Sequence, residues 1–208
     1  MSAIRIVRGL ADTQRTEAAH LYMEAFDQKL GPILGRDDRA VAFLAHVMRK
    51  NQALVALDPD SEILGLAGFH DAETGLIGGE FRDLSRFYGW FGAAWRVLLL
   101  SIFERAPVER EFLMDGIVVG ARARGKGVGS ALLAAILETA RSNGANQVRL
   151  DVIDTNPRAR ALYERVGFVA RKTEHYGIFT KWLGFSAATT MICDLDHAAE
   201  GSGPPNST

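Results

Sequence analysis

The pattern of apolar and polar positions divides the chain into strand-like and helix-like segments. Short runs that alternate or are continuously apolar predict strands, whereas apolar residues spaced three and four apart predict helices. The predicted strands are Ile4–Arg8, Ala53–Leu57, Ile63–Phe69, Glu111–Val119, Gln147–Ile153, Val169–His175 and Thr189–Leu195. The predicted helices are Thr16–Phe26, Asp38–Met48, Val128–Arg141 and Pro157–Arg165. We expect Gly31-Pro32 and Gly35 to break the first helix.

The order of these segments predicts the fold class. Strands come mostly first, and a strand–helix–strand–helix–strand–strand succession completes the chain. This order is typical of an α/β or α+β domain around one mixed sheet. The length of 208 residues suits one domain, which we place at residues 1–197. Residues 198–208, which include the polar and Pro/Gly-rich stretch Glu200–Thr208, are expected to form a disordered tail.

The segment Glu80–Arg105 interrupts this succession with a concentration of aromatic residues. It predicts one or two helices inserted between strands. Its aromatic members are Phe81, Phe87, Tyr88, Trp90, Phe91, Trp95 and Phe103. One interpretation is extra core or a dimer face, and the other is a wall over an acceptor site.

Composition and charge exclude several classes of protein. The 24 basic and 25 acidic residues give a formal charge of −1, whereas a nucleic-acid-binding protein usually has a strongly basic face. The single cysteine, Cys193, allows neither an internal disulfide nor a thiolate metal cluster. The N-terminus lacks the apolar stretch of a signal peptide, and the most apolar segment, Trp90–Phe103, is too short to cross a bilayer. We therefore expect a soluble cytoplasmic protein without a membrane or nucleic-acid partner.

A glycine-rich turn follows the fourth predicted strand. It has the sequence RARGKGVGS from Arg122 to Ser130 and leads into the amphipathic helix that starts near Val128. Three glycines at alternate positions let the backbone turn tightly and bring its N–H groups to a ligand. Those N–H groups, the positive end of the helix and the basic side chains predict a phosphate site. An ordinary connection between a strand and a helix is the structural alternative.

Three phosphate-binding motifs can be compared with this turn. A P-loop requires a hydroxyl residue after Gly125-Lys126, where Gly127 stands. A dinucleotide fingerprint that starts at Gly125 requires Gly or Ala at position 130, which is Ser130, and it normally follows the first strand of a fold. The pattern Arg/Gln-x-x-Gly-x-Gly/Ala is matched in full, by Arg124, Gly127 and Gly129.

A second motif starts 27 residues after Gly129, at Asn156. Asn156 is a favourable helix N-cap, and Pro157 suits the first helical position. Tyr163 lies seven residues beyond Asn156, on the same helix face, and Gly167-Phe168 ends the helix. The structural alternative is that Asn156 is only a cap and Tyr163 only a half-buried aromatic residue.

Together the two motifs, which cover about Asp115–Phe168, resemble those of the GNAT superfamily of CoA-dependent N-acyltransferases. The resemblance implies one domain with a twisted, mostly antiparallel sheet of about seven strands flanked by helices. It implies acetyl-CoA as co-substrate and no metal, with the pyrophosphate bound by Arg124, Gly125, Lys126, Gly127, Val128, Gly129 and Ser130. It also implies pantetheine pairing along Ile117, Val118 and Val119, and cofactor contacts at Asn156 and Ala159.

The resemblance also implies catalytic roles. The Tyr163 hydroxyl would face the thioester sulfur, and a backbone N–H near Val119 would stabilise the oxyanion. Asp115 matches the position of acidic residues that some members use as general base. Glu80, His70, His175 and a water chain remain alternatives for the base.

The function implied is transfer of an acetyl group to a primary amine of a small molecule or peptide, by an enzyme that can form a homodimer. A catalytically silent acyl-CoA sensor is the alternative from another class. A nucleotide-binding module is a third, weaker one.

Overall fold

The computed structural model describes residues 4–70, 75–101, 110–177, 180 and 184–195. In these residues seven strands form one sheet, with helices on both of its faces. The strands are β1 (Arg5–Arg8), β2 (Ala53–Leu57), β3 (Ile63–Phe69), β4 (Glu111–Val119), β5 (Gln147–Ile153), β6 (Val169–His175) and β7 (Ala187–Asp194). The helices are α1 (Arg15–Ala25), α2 (Asp27–Leu34), α3 (Asp38–Val47), α4 (Phe81–Leu100), α5 (Val128–Ser142) and α6 (Pro157–Arg165).

The strand order is β1-β2-β3-β4-β5-β7-β6. Every neighbouring pair is antiparallel except β4 and β5, which are parallel. The sequence-based expectation of an α/β fold with a mixed, mostly antiparallel sheet of about seven strands is therefore confirmed.

Two hydrophobic clusters lie on opposite faces of this sheet. The first contains the apolar sides of α1, α2, α3 and α4, packed on strand residues such as Val55, Leu66 and Val118. The second contains α5 and α6, packed on alternate strand residues such as Leu54 and Ala67. Because side chains alternate across a strand, the continuously apolar β2 and β3 supply both clusters.

The helical layer of α1 and α2 differs from the sequence-based expectation. The predicted helix Thr16–Phe26 corresponds to α1, but Gly31-Pro32, which was expected to lie in a break, is inside a second helix, α2, that was not predicted. The break expected at Gly35 does occur, where a φ of 91° ends the helix. Pro32 removes one backbone hydrogen bond and crowds the carbonyl of Gln28, and burial of Ile33 and Leu34 in the core offsets this cost.

The other elements agree with the pattern to within a few residues. The largest shift is in β7, which begins at Ala187 rather than at Thr189. The aromatic segment forms α4, and a kink at Gly89 (φ 70°, ψ 169°) divides that helix. Residues 102–105 of this segment, with Phe103, and the predicted tail lie outside the described residues.

The parallel pairing of β4 and β5 stops after three residue pairs. It runs from Glu111 opposite Gln147 to Leu113 opposite Arg149. Directly beyond, β4 contains a β-bulge: Gly68 of β3 faces Gly116 and Phe69 faces Met114, so that Asp115 has no partner in the ladder. Beyond Leu113 and Arg149 no pairing joins the two strands, although β4 continues to Val119 and β5 to Ile153, and we call this unpaired stretch towards their carboxyl ends the gap.

A polar contact holds the closed end of this gap. The Glu111 carboxylate accepts hydrogen bonds from Arg149 Nη1 and Gln147 Nε2, both at 3.2 Å. The Glu111 side chain is only 5% exposed, so this ion pair is shielded from water. It joins β4 to β5 within the short stretch where the two strands are paired.

Removing the Glu111 carboxylate should destabilise the fold. In Glu111→Ala, Arg149 would keep its charge in a largely buried position without a partner, and the expected loss is about 3 kcal/mol in the free energy of unfolding. Urea denaturation followed by circular dichroism measures this loss.

Glu138→Ala is the matched control. Glu138 pairs with Arg141 at 3.9 Å on the surface of α5. Its removal should change the free energy of unfolding by less than about 0.5 kcal/mol. Equal losses in the two variants would contradict a special role for the Glu111 contact.

Candidate active site

The gap between β4 and β5 exposes backbone groups of β4. The Gly120 N–H donates to Leu64 O of the β3 side at 2.9 Å, so alternate residues of β4 direct their N–H and C=O groups towards β3. By this alternation Val118 pairs with β3, whereas Ile117 and Val119 direct their backbone groups into the gap. An extended ligand arm in the gap can therefore hydrogen-bond to Ile117 and Val119.

The glycine-rich turn lies at the open end of the gap. Gly125 and Gly127 have φ values of 75° and 84°, and no heavy atom lies within 4 Å of a Cβ built at either position. The first hydrogen bond inside α5 joins the Ala131 N–H to Gly127 O, so the N–H groups of the three preceding residues have no partner within the helix. The turn thus presents an open row of N–H donors at the positive end of a 15-residue helix.

Two arginines of the turn are paired with carboxylates. Arg124 donates from Nε to Val119 O at 3.2 Å, and its Nη2 lies 3.5 Å from Glu24 of α1. Arg122 lies 2.7 Å from Glu62. An open groove of about 440 Å³ separates α1 from this turn. A phosphate at the turn would therefore compete with Glu24 and Glu62 for these cations.

Helix α6 packs against the start of α5. A Cβ built at Gly129 would lie 3.3 Å from Leu162 Cδ2, so the glycine permits this close approach. Asn156 caps α6, because its Oδ1 accepts a hydrogen bond from the Ala159 N–H at 3.2 Å. The contact brings the turn and the Tyr163 helix, which are far apart in the sequence, to one end of the sheet.

Tyr163 is buried in the second cluster, beside Phe168. Burial raises the pKa of its phenol to about 12. The phenol therefore keeps its proton at any physiological pH, and it can donate a hydrogen bond to an anion.

The bulge of β4 carries an acid–histidine pair. Asp115 Oδ1 lies 2.7 Å from His70 Nε2, and Asp115 Oδ2 accepts a hydrogen bond from the Leu76 N–H at 2.8 Å. Gly75 permits this packing, because a Cβ there would lie 2.3 Å from His70 Nε2. Two of the four candidate bases from the sequence thus form one pair.

The other two candidate bases lie apart from this pair. Glu80 begins α4 and lines a separate surface groove with His46 and Asp83. His175 ends the edge strand β6. Of the four candidates, Asp115 and His70 are the two that lie together at the bulge of β4.

The structure adds residues of α1 and α2 that the sequence gave no reason to choose. Phe26 covers the bulge, because a Cβ at Gly116 would lie 2.6 Å from its ring. Burial, with a contribution from the Asp115 charge, raises the pKa of Tyr22. Thr155 donates to Gln28 Oε1 at 2.9 Å, which joins the start of α2 to the turn after β5. These contacts connect residues distant in the chain, so no local motif signals them.

Within the residues described, no group of three or more His, Cys, Asp or Glu side chains is arranged to hold a metal ion. No helix there has the length and apolar character needed to cross a bilayer.

Two proteins with known family assignments are similar to part of the chain. An uncharacterized N-acetyltransferase, YobR, of Bacillus subtilis (strain 168) is 37% identical over 65 residues, which are 31% of this chain and 26% of that protein. A thialysine N-epsilon-acetyltransferase of Bos taurus is 38% identical over 58 residues, which are 28% of this chain and 34% of that protein. The matched segments thus span only about a quarter to a third of these relatives.

Solved structures share the fold over nearly the whole chain. A chimera of the spermidine N-acetyltransferase SpeG from Vibrio cholerae and hSSAT matches with a TM-score of 0.63 and 16% identity, over 96% of this chain and 99% of the other. A GCN5-related N-acetyltransferase from Kribbella flavida matches with a TM-score of 0.61 and 19% identity, over 92% and 98%. At these identities the likeness concerns the fold alone.

The family model described as Acetyltransferase (GNAT) family matches residues 15–168, which include α1, the bulged β4, the glycine-rich turn and α6. The matched region is most of the chain and contains every element that borders the gap. The chain therefore belongs to the GNAT acetyltransferase family.

Proposed function

We propose that this protein is an N-acetyltransferase that moves an acetyl group from acetyl-CoA to a primary amine of a small molecule or peptide by direct transfer. The observation that carries the proposal is the gap between β4 and β5, with N–H donors at its open end and Asp115 at its bulge. Members of the family use acetyl-CoA as co-substrate. The name of the bovine relative, an N-epsilon-acetyltransferase of thialysine, supports an amine acceptor.

The residues of the gap fit the parts of acetyl-CoA in order. The N–H groups of residues 125–130 would bind the pyrophosphate, with Arg124 and Lys126 as counter-charges. The Ile117 C=O and the Val119 N–H would pair with the pantetheine amides, since Val119 O already accepts from Arg124. Asn156 and Ala159 at the start of α6 would border the opposite side of the arm. This order places the thioester between the bulge and α6.

Two functions are required for the amine to attack the thioester carbonyl. An alkyl ammonium with a pKa near ~10.4 must lose its proton, and the oxygen that becomes negative must be stabilised. The Asp115–His70 pair would take the proton, and the negative charge of Asp115 would also attract the ammonium form. The Ile117 N–H, the donor in the gap nearest the bulge, would donate to the oxyanion. The C–S bond then breaks, CoA leaves as a thiolate, and the nitrogen releases its second proton to solvent to give the neutral amide.

The raised pKa of Tyr163 determines what it can do for this thiolate. With a phenol pKa of about 12 and an ordinary thiol pKa near ~8.5, full proton transfer to sulfur is unfavourable by about 5 kcal/mol. A hydrogen bond to the thiolate carries no such penalty and contributes roughly 1.5–3 kcal/mol. We therefore assign Tyr163 a hydrogen-bonding role, and solvent supplies the proton later.

Tyr163→Phe should lower kcat roughly 10- to 100-fold, because that hydrogen bond is lost. The dissociation constant of acetyl-CoA should change little. Since the phenol remains protonated well above pH 10, the pH profile of kcat should keep its shape up to that pH. Steady-state kinetics and calorimetric binding measure these values.

Tyr88→Phe is the control for Tyr163. It removes a hydroxyl that donates to Leu34 O at 2.9 Å, far from the gap, and should leave kcat unchanged. A Tyr163→Phe enzyme with full turnover would remove Tyr163 from the mechanism.

Gly127→Ala should weaken CoA binding at least about tenfold. Its φ of 84° strains any residue with a Cβ, and the added methyl group projects into the open phosphate site. Gly144→Ala has the same type of strain (φ 72°) in equally open space, but at the other end of α5. Both variants should lose similar stability, about 1 kcal/mol. Equal CoA affinities in the two variants would contradict the phosphate site.

The decisive experiment for the function is release of free CoA thiol from acetyl-CoA in the presence of a panel of primary amines. Asp115→Asn should lower kcat/KM by a factor of about 100 or more, with CoA binding retained. Tight CoA binding by the wild-type protein without turnover of any amine would instead favour an acyl-CoA sensor. ATP binding without CoA binding would favour a nucleotide-binding module.

A further inference from the structure

The second half of α4, after the kink at Gly89, has an apolar face that points to solvent. Its members lie on one side of the helix, from Trp90 to Leu98, and none carries a charge. Trp90, Phe91 and Leu98 are 65%, 83% and 69% exposed, and Trp95, Val97 and Ala94 complete the face. We call this surface the α4 face.

The only charged side chain in this half of the helix lies at the edge of the α4 face. The Arg96 guanidinium lies 3.9 Å from the Tyr88 ring and 4.3 Å from the Trp95 ring, and its Nη1 donates to Gly92 O. The inward side of the helix is already packed, through residues such as Ala93 and Leu99, on the first hydrophobic cluster. The α4 face is therefore a second apolar surface of the helix, additional to the one that the fold buries.

The size of the α4 face approaches that of one side of a stable protein interface. Aromatic and large aliphatic side chains exposed to this extent leave on the order of 600 Å² of contiguous apolar area. That value is at the upper limit for a monomer's largest patch. A standard interface buries about 800 Å² on each partner, which this face with its rim would supply.

The chemistry of the face favours a second copy of this chain over a lipid surface. Helices that lie on membranes combine an apolar side with several Lys and Arg that bind anionic headgroups, whereas the second half of α4 has one basic residue, Arg96, which is held against the Tyr88 and Trp95 rings. Along the helix, Trp90, Ala94 and Leu98 form one ridge with spacing of four and a small residue at its centre. Two such ridges are self-complementary, because the large residues of each can pack beside the small residue of the other around a twofold axis.

We propose that the α4 face is the interface of a homodimer, with a twofold axis passing near Ala94. The two helices would cross at the angle typical of ridges with spacing of four, and Trp90, Phe91 and Leu98 would be buried against the partner. This inference is independent of the proposed acetyl transfer, because the active-site gap lies between β4 and β5.

The oligomeric state of the full chain tests the proposal. By analytical ultracentrifugation, the wild-type protein should sediment at twice the chain mass of 22.7 kDa. Phe91→Glu and Leu98→Glu should each weaken the dimer by at least about thirtyfold, since each places a charge in the buried centre. Val169→Glu is the matched control: Val169 is 55% exposed on β6, and its substitution should leave the dimer intact.

Cross-linking tests the position of the axis. Ala94→Cys should form an interchain disulfide under mild oxidation, because equivalent atoms meet at a twofold axis. The native Cys193 is buried and should not react. Ser142→Cys, at the exposed end of α5, should stay monomeric on a denaturing gel.

Three outcomes would overturn the proposal. The first is a wild-type monomer over a wide concentration range, and the second is a dimer that survives both glutamate substitutions or lacks the Ala94→Cys cross-link. The third is a monomer that sediments with vesicles of phosphatidylcholine and phosphatidylglycerol and loses this binding in Phe91→Glu, which would assign the face to lipid.

Discussion

The site depends on one constraint, the early end of the parallel pairing between β4 and β5. Three residue pairs hold the two strands together, and the bulge at Asp115 then turns β4 away. Without this separation, the backbone groups of Ile117 and Val119 would form hydrogen bonds with β5 in a continuous ladder. Because the strands separate, backbone groups of β4 that would otherwise hydrogen-bond to β5 remain available to a ligand. The buried Glu111–Arg149 contact keeps the two halves of the sheet joined where this exchange begins.

The bulge has a second effect, on the direction of side chains. It places both Asp115 and Gly116 on the sheet face that α1 covers, so that the carboxylate meets His70 and the glycine meets the Phe26 ring. The phosphate turn and Tyr163 belong to the opposite layer, with α5 and α6. The candidate catalytic residues therefore come from both layers, which meet at the gap.

Much of the fold was predictable from the sequence, because its signals are local. The start of α5 at Val128 and the limits of α6 follow from the glycine turn, the Asn156 cap and the apolar spacing, all within a few residues. Helix α2 was not predictable in this way. Gly31-Pro32 is a strong local signal for a helix break, but the packing of Ile33 and Leu34 in the core stabilises a helix there. The pairing of Asp115 with His70, and the contacts of Phe26 and Gln28, join residues 45 to 127 positions apart, where sequence patterns carry no information.

The hydrogen bond between Thr155 and Gln28 is the weakest kind of tie between distant parts of the chain. It joins the start of α2 to the turn after β5, and both side chains are exposed to solvent. A single neutral hydrogen bond of this kind contributes only about 1 kcal/mol. A tie of this strength opens at little cost, so it does not by itself hold the α1 and α2 layer against a ligand that enters beside it.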